Sequence, residues 1–101
     1  MNISISKSGF DDLQDIKVYY EEEGVPHIGD GFITSIIRHI ETLSDNPKIG
    51  RVVPEFNSPK IRELIHSPFR IVYLYENETI RVIRVWRSER LMKLPDSSND
   101  N

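Results

Sequence analysis

The chain has 101 residues, a net charge of −3, no cysteine, six prolines and five glycines. That length suits one small domain with a single core between helices and a sheet, and the missing cysteine excludes disulfides, thiol catalysis and zinc–thiolate sites. The charge is split: residues 1–50 carry four basic and nine acidic side chains, whereas residues 51–94 carry nine basic and five acidic ones. A basic half inside an acidic chain points to a selective anionic partner rather than a general nucleic-acid coat.

Residues 2–6 alternate, with Ile3 and Ile5 on one side, and predict a short strand. Ser8 is placed to cap a first helix whose apolar stripe is Phe10, Leu13, Ile16 and Tyr20, with Asp11, Asp12, Asp15 and Glu21 to Glu23 outward and Gly24 as the stop. Val25 to Gly31 holds a proline and two glycines and reads as a turn. A second helix over about Asp30–Leu43 has a broad stripe of Phe32, Ile33, Ile36, Ile37, Ile40 and Leu43, and pairs with the first as an antiparallel hairpin. Lys48–Pro59 reads as an ordered surface loop carrying Arg51, Glu55 and Phe56.

Three strands are predicted at about 61–66, 69–75 and 79–87, where arginine alternates with β-branched and aromatic residues. If Asn77 and Glu78 make a two-residue turn, Tyr75 faces Ile80, Tyr73 faces Val82, Val72 faces Ile83 and Arg70 faces Val85. This register puts Phe69, Ile71, Tyr73, Tyr75, Ile80, Val82, Arg84 and Trp86 on one face. Arg70, Val72, Leu74, Arg81, Ile83, Val85 and Arg87 lie on the other. Two helices cover one face, leaving an apolar, arginine-fringed face for a partner, and a slip of one residue exchanges the two. Residues 1–94 are expected to form the domain and 95–101 a disordered polar tail. No basic start followed by an apolar run, and no long apolar segment, marks a signal peptide or a membrane span, so a soluble cytoplasmic protein is expected, with no membrane partner.

Candidate chemistry is sparse. No phosphate-cradling glycine motif is present and no cofactor is expected. His27, His39 and His66 lack metal-ligand spacing, so no metal site is expected: His39 reads as a surface residue, His27 as a turn residue, and His66 as a structural strand end, the alternative being an acid or base close to the arginine-rich hairpin. Arginine is the informative type, because its fork suits phosphate or carboxylate; the alternative is cross-strand ion pairing with Glu63, Glu76 or Glu89. Glu55 is a general base if its loop folds back over Arg70, and otherwise a partner for Arg51.

The order strand, helix hairpin, three strands, with Gly50-Arg-Val-Val-Pro-Glu, Ile61-Arg-Glu-Leu-Ile, Phe69-Arg-Ile-Val-Tyr and Ile83-Arg-Val-Trp-Arg, resembles the ParE/RelE superfamily of toxin–antitoxin modules over residues 2–94. The resemblance implies an α+β fold, β-α-α-β-β-β, with an antiparallel sheet packed on a helical hairpin. It also implies a toxin neutralised by a cognate antitoxin protein. RelE-like members cleave messenger RNA on the ribosome with a base, an acid and cations; here Glu55 and Arg70 match, but Arg87 and Ser88 stand where an acid–base pair is expected. The ParE-like branch, closer in Arg62-Glu-Leu-Ile and Arg84-Val-Trp-Arg, implies a DNA gyrase inhibitor that works by binding. The implied target contacts are Arg70, Arg84, Arg87 and Arg90. The expected antitoxin contacts are Val72, Leu74, Ile83 and Val85, and operator DNA is reached only through the antitoxin. Two alternatives stay open: a ribosome-dependent endoribonuclease and a non-toxic binding or regulatory member.

Overall fold

Ser6 starts the first helix: its hydroxyl accepts a hydrogen bond from the Gly9 amide, which satisfies one of the free donors at a helix N-terminus. The structure, a computed structural model, describes residues 1–88. They run as β1 (Asn2–Ile5), α1 (Lys7–Glu22), α2 (Pro26–Glu41), a 3₁₀ turn over Thr42–Ser44, β2 (Arg51–Val52), β3 (Ile61–His66), β4 (Phe69–Glu76) and β5 (Thr79–Arg87). The cap is therefore Ser6 and not Ser8, which lies inside the first turn. Gly24, at φ 80°, ends α1 as expected.

The second helix begins four residues earlier than predicted. Pro26 occupies its first turn, where the missing N–H costs nothing, so proline starts this helix instead of breaking it. Gly29 lies inside α2 and lets it approach α1: a Cβ there would stand 2.9 Å from the Tyr20 Cβ. A sequence read for turns takes such a glycine for a break, although its purpose is close helix packing.

The sheet has the order β1-β5-β4-β3-β2. Its α+β architecture is the expected one, two helices on one face of a sheet. The sheet is mixed because β1 joins β5 in parallel, and β2 adds a two-residue strand inside the stretch read as loop. The β4–β5 turn forms at Asn77 and Glu78, both at positive φ (53° and 58°), as a two-residue connection of the primed type requires.

The register is as predicted from Tyr75↔Ile80 to Tyr73↔Val82 and then changes. A bulge makes Ile83 an extra residue, so Val72 pairs with Arg84, Ile71 with Val85, Arg70 with Trp86 and Phe69 with Arg87. One inserted residue reverses the alternation beyond it. Val85 thereby joins the helix-covered core with Leu13, Ile16, Ile36, Ile40, Leu43, Leu64, Phe69, Ile71, Tyr73, Ile80 and Val82. Arg84 and Trp86 move to the face with Arg70 and Val72, and Arg87 moves to the face with Phe69. Arg90, Leu91 to Leu94 and the tail 95–101 lie outside the described residues.

Candidate functional site

The face away from the helices is built on the pairing of β2, β3 and β4. Gly50 fixes where it begins. Its amide donates to the Tyr73 hydroxyl at 3.0 Å, that hydroxyl donates to the Pro47 carbonyl at 2.8 Å, and a Cβ at position 50 would lie 2.6 Å from the hydroxyl oxygen. Burial raises the Tyr73 pKa above its ordinary value, holding the phenol in its donating form. The pinned chain sets Arg51 opposite Glu63 and Glu63 opposite Val72.

A chain of alternating charges follows. Glu63, 1% exposed, accepts from Arg51 Nε through one oxygen at 2.6 Å and from Arg70 through the other. Arg70, 2% exposed, turns its two terminal nitrogens to the two oxygens of Glu55, each at 3.3 Å. The loop after β2 does fold back over Arg70, and Glu55 pairs with it rather than with Arg51. Two arginines and two carboxylates thus cancel across a partly buried network, which is how charge survives burial.

Trp86 borders this network. The Arg70 guanidinium lies 5.4 Å from its ring centroid and that of Arg84 5.2 Å, while Phe56 approaches at 6.5 Å. Arg84 also reaches Asp12 on α1, with contacts of 2.8 and 3.0 Å, and Asp12 accepts the Val85 amide at 2.8 Å. The pairing with Asp12 raises the Arg84 pKa further above its ordinary value. Between α1 and this part of β5 lies a cavity of about 330 Å³, lined by Asp12, Asp15, Tyr19, Tyr20, Phe69 and Arg84 among others, with Trp86 and Arg87 at its wall. Arg87 stacks over Tyr19 and Phe69 and donates to the Tyr20 hydroxyl at 3.3 Å.

The expected site residues separate accordingly. Arg70 is buried and bound by carboxylates, so it is not an exposed target contact. Arg84 and Arg87 are partly exposed and share the α1–β5 cavity; Arg90 lies outside the described residues. Of the expected antitoxin contacts, Val72 is 0% exposed and Val85 4% exposed within the helix-side core, so neither offers surface; Leu74 and Ile83 are half-buried. The bulge is the reason for Val85. The exposed apolar residues on this face are instead Ile65, paired with Arg70, and Phe56, beside Trp86. Sequence reading missed Asp12 as an organiser, since a carboxylate on a helix carries no local sign of a distant partner, and it offered Glu63 only as one of three cross-strand partners for arginine, which the structure selects.

His66 ends β3 as expected, but His39 and His27 differ from expectation. His39 on α2 and His66 at the end of β3 meet, Nδ1 to Nδ1, at 2.8 Å, and the Ser35 hydroxyl lies 2.9 Å from His66 Nε2. Burial and then the neighbouring His39 lower the His66 pKa below its ordinary value. His27 lies in the first turn of α2 instead of in a connecting turn. No group of three or more His, Asp or Glu side chains converges as a metal-binding set among the described residues.

Comparison with known proteins agrees with the fold. Residues 3–92 match the family model described as the ParE toxin of the type II toxin–antitoxin system parDE. The solved structure described as the chromosomal ParDE TA system from P. aeruginosa superposes with a TM-score of 0.72, at 20% identity, covering 86% of this chain and 95% of that one. No curated protein sequence matches the chain.

Proposed function

The chain belongs to the ParE toxin family of type II toxin–antitoxin systems, and on that premise we propose that it inhibits DNA gyrase by binding and is neutralised by a cognate antitoxin, both in the cytoplasm. The observation that carries binding over cleavage is the state of Arg70. A cation that handles a scissile phosphate must present free donors to it, whereas here the guanidinium is 2% exposed and spans Glu63 and Glu55. The Trp86 ring lies near the guanidinium of Arg70 from this network and near that of Arg84, and an aromatic beside arginine suits an interface anchor.

Target contact is assigned to Arg84 and Arg87, at the cavity between α1 and β5. The antitoxin is assigned to the open sheet face, where Leu74, Ile83, Ile65, Phe56 and Trp86 offer apolar surface and Arg51, 63% exposed in its side chain, offers a cation to an acidic segment. Operator DNA is reached through the antitoxin. The test is a supercoiling assay with the purified chain, run beside mapping of cellular messages during its expression. The expected result is inhibited supercoiling with intact messages, relieved by the antitoxin and weakened by a combined Arg84→Ala and Arg87→Ala change. Normal supercoiling at excess protein sinks the gyrase assignment, and in-frame cuts in translated messages would replace it with ribonuclease activity.

A further inference from the structure

The contact between His39 and His66 lies apart from the face assigned to partners, and its hydrogen bonds fix the chemistry of each nitrogen. Ser35 donates its hydroxyl proton to the Phe32 carbonyl at 3.0 Å. With the proton so assigned, Ser35 acts as acceptor toward His66, 2.9 Å away, and the tautomer compatible with that bond carries its proton on His66 Nε2. Neutral His66 is left with a lone pair on Nδ1, and the Nδ1–H of His39 points at it from 2.8 Å. With ring centroids 5.0 Å apart, the two nitrogens lie between the rings, which meet edge to edge.

We propose that His39 and His66 form a two-imidazole site for a divalent transition-metal ion of the zinc class, which replaces the shared proton and ties α2 to the end of β3. Three features suit it. Imidazole nitrogen is a favoured ligand for these ions. His66 is already held in the tautomer that offers Nδ1, through a donor bond from its other nitrogen to a fixed oxygen, the usual support of a metal-bound histidine. His39 is half-exposed, so it can carry its proton on Nε2 and tilt until the nitrogens open from 2.8 Å to about 3.3 Å, the separation that Zn–N bonds of about 2.0–2.1 Å make at a tetrahedral angle. With two protein ligands, water completes the coordination and the ion exchanges readily.

Titration of the full chain with Zn²⁺ alone, by calorimetry and by the histidine ring signals in NMR, tests this. One ion per chain is expected, with the His39 and His66 signals shifting and those of His27 unmoved. His39→Ala and His66→Ala should each weaken binding about tenfold or more, Ser35→Ala about tenfold through the lost support, and His27→Ala not at all. The thermal midpoint without metal shows whether each variant is folded; should His66→Ala unfold, the half-exposed His39→Ala decides. Affinity unchanged in His39→Ala, loss of binding in His27→Ala, or absence of a saturable site in the parent chain would each overturn the proposal.

Discussion

The two faces of one sheet solve burial in opposite ways. Toward the helices, Phe69, Ile71, Tyr73, Ile80, Val82 and Val85 are almost completely buried among side chains of α1 and α2. Away from them, the same strands hold Glu63 and Arg70 at 1% and 2% exposure with no helix above, each satisfied by opposite charge. The apolar face gains from every atom removed from water, whereas the charged face is near balance and depends on completeness. One is tolerant in detail and strong in sum. The other is intolerant of losing any single member.

Breaking the charged network tests this contrast most severely. Glu63→Gln, which leaves Arg70 buried beside a neutral amide, should cost about 3–5 kcal/mol in urea unfolding, while Glu63→Leu combined with Arg70→Met should recover most of that loss. A double change as damaging as the single one would show that the network stabilises in its own right. On the other face, Ile71→Ala removes a side chain with no exposure and should cost about 2–5 kcal/mol, with no partner substitution able to restore it. Asp12→Asn, at a partly exposed pair, should cost about 1–2 kcal/mol, most of it from the three hydrogen bonds weakened at Arg84 and Val85.

The smallest effect is a pH dependence. Because the His66 pKa is lowered on folding from the ordinary value of about 6.5, first by burial and then by His39, its contribution is fully present above the unfolded value. Stability should fall as pH drops below that value and level off beneath the folded pKa. His66→Gln should flatten this part of the stability curve measured by thermal melts from neutral to mildly acidic pH. An unchanged slope would separate the histidine contact from stability.

Legibility in the sequence follows the same division. Helical and strand periodicity report average burial on one side, so the two helices, the three long strands and the core residues of the first half of the hairpin are readable from spacing. The bulge leaves only a faint trace, the apolar doublet Val82-Ile83 that interrupts the alternation: with Ile83 extra, Ile80, Val82 and Val85 fall on one face and Arg81 and Arg84 on the other. From that one residue follow the differences at Val85, Arg84 and Trp86. The network was half readable: ion pairing with Glu63 and a loop folding over Arg70 were among the expectations, but only the register places Arg51, Glu63 and Arg70 in one line. The helix start at Pro26 and the packing role of Gly29 fall where one residue type serves two purposes, and only the neighbouring helix decides between them.

Asp12 has a consequence for how this chain behaves in a crowd. Strand β1 covers its edge of β5 only as far as Val82, and among the described residues no strand continues along that edge, the other being paired with β4 throughout. An uncovered stretch of apolar strand is a template for unwanted pairing with another unfolded or folded chain. The carboxylate of Asp12 sits on the Val85 amide, and Arg84 holds it there. A foreign strand must first displace an ion pair before it can hydrogen-bond to the Val85 amide, so a single aspartate raises the cost of pairing at this edge.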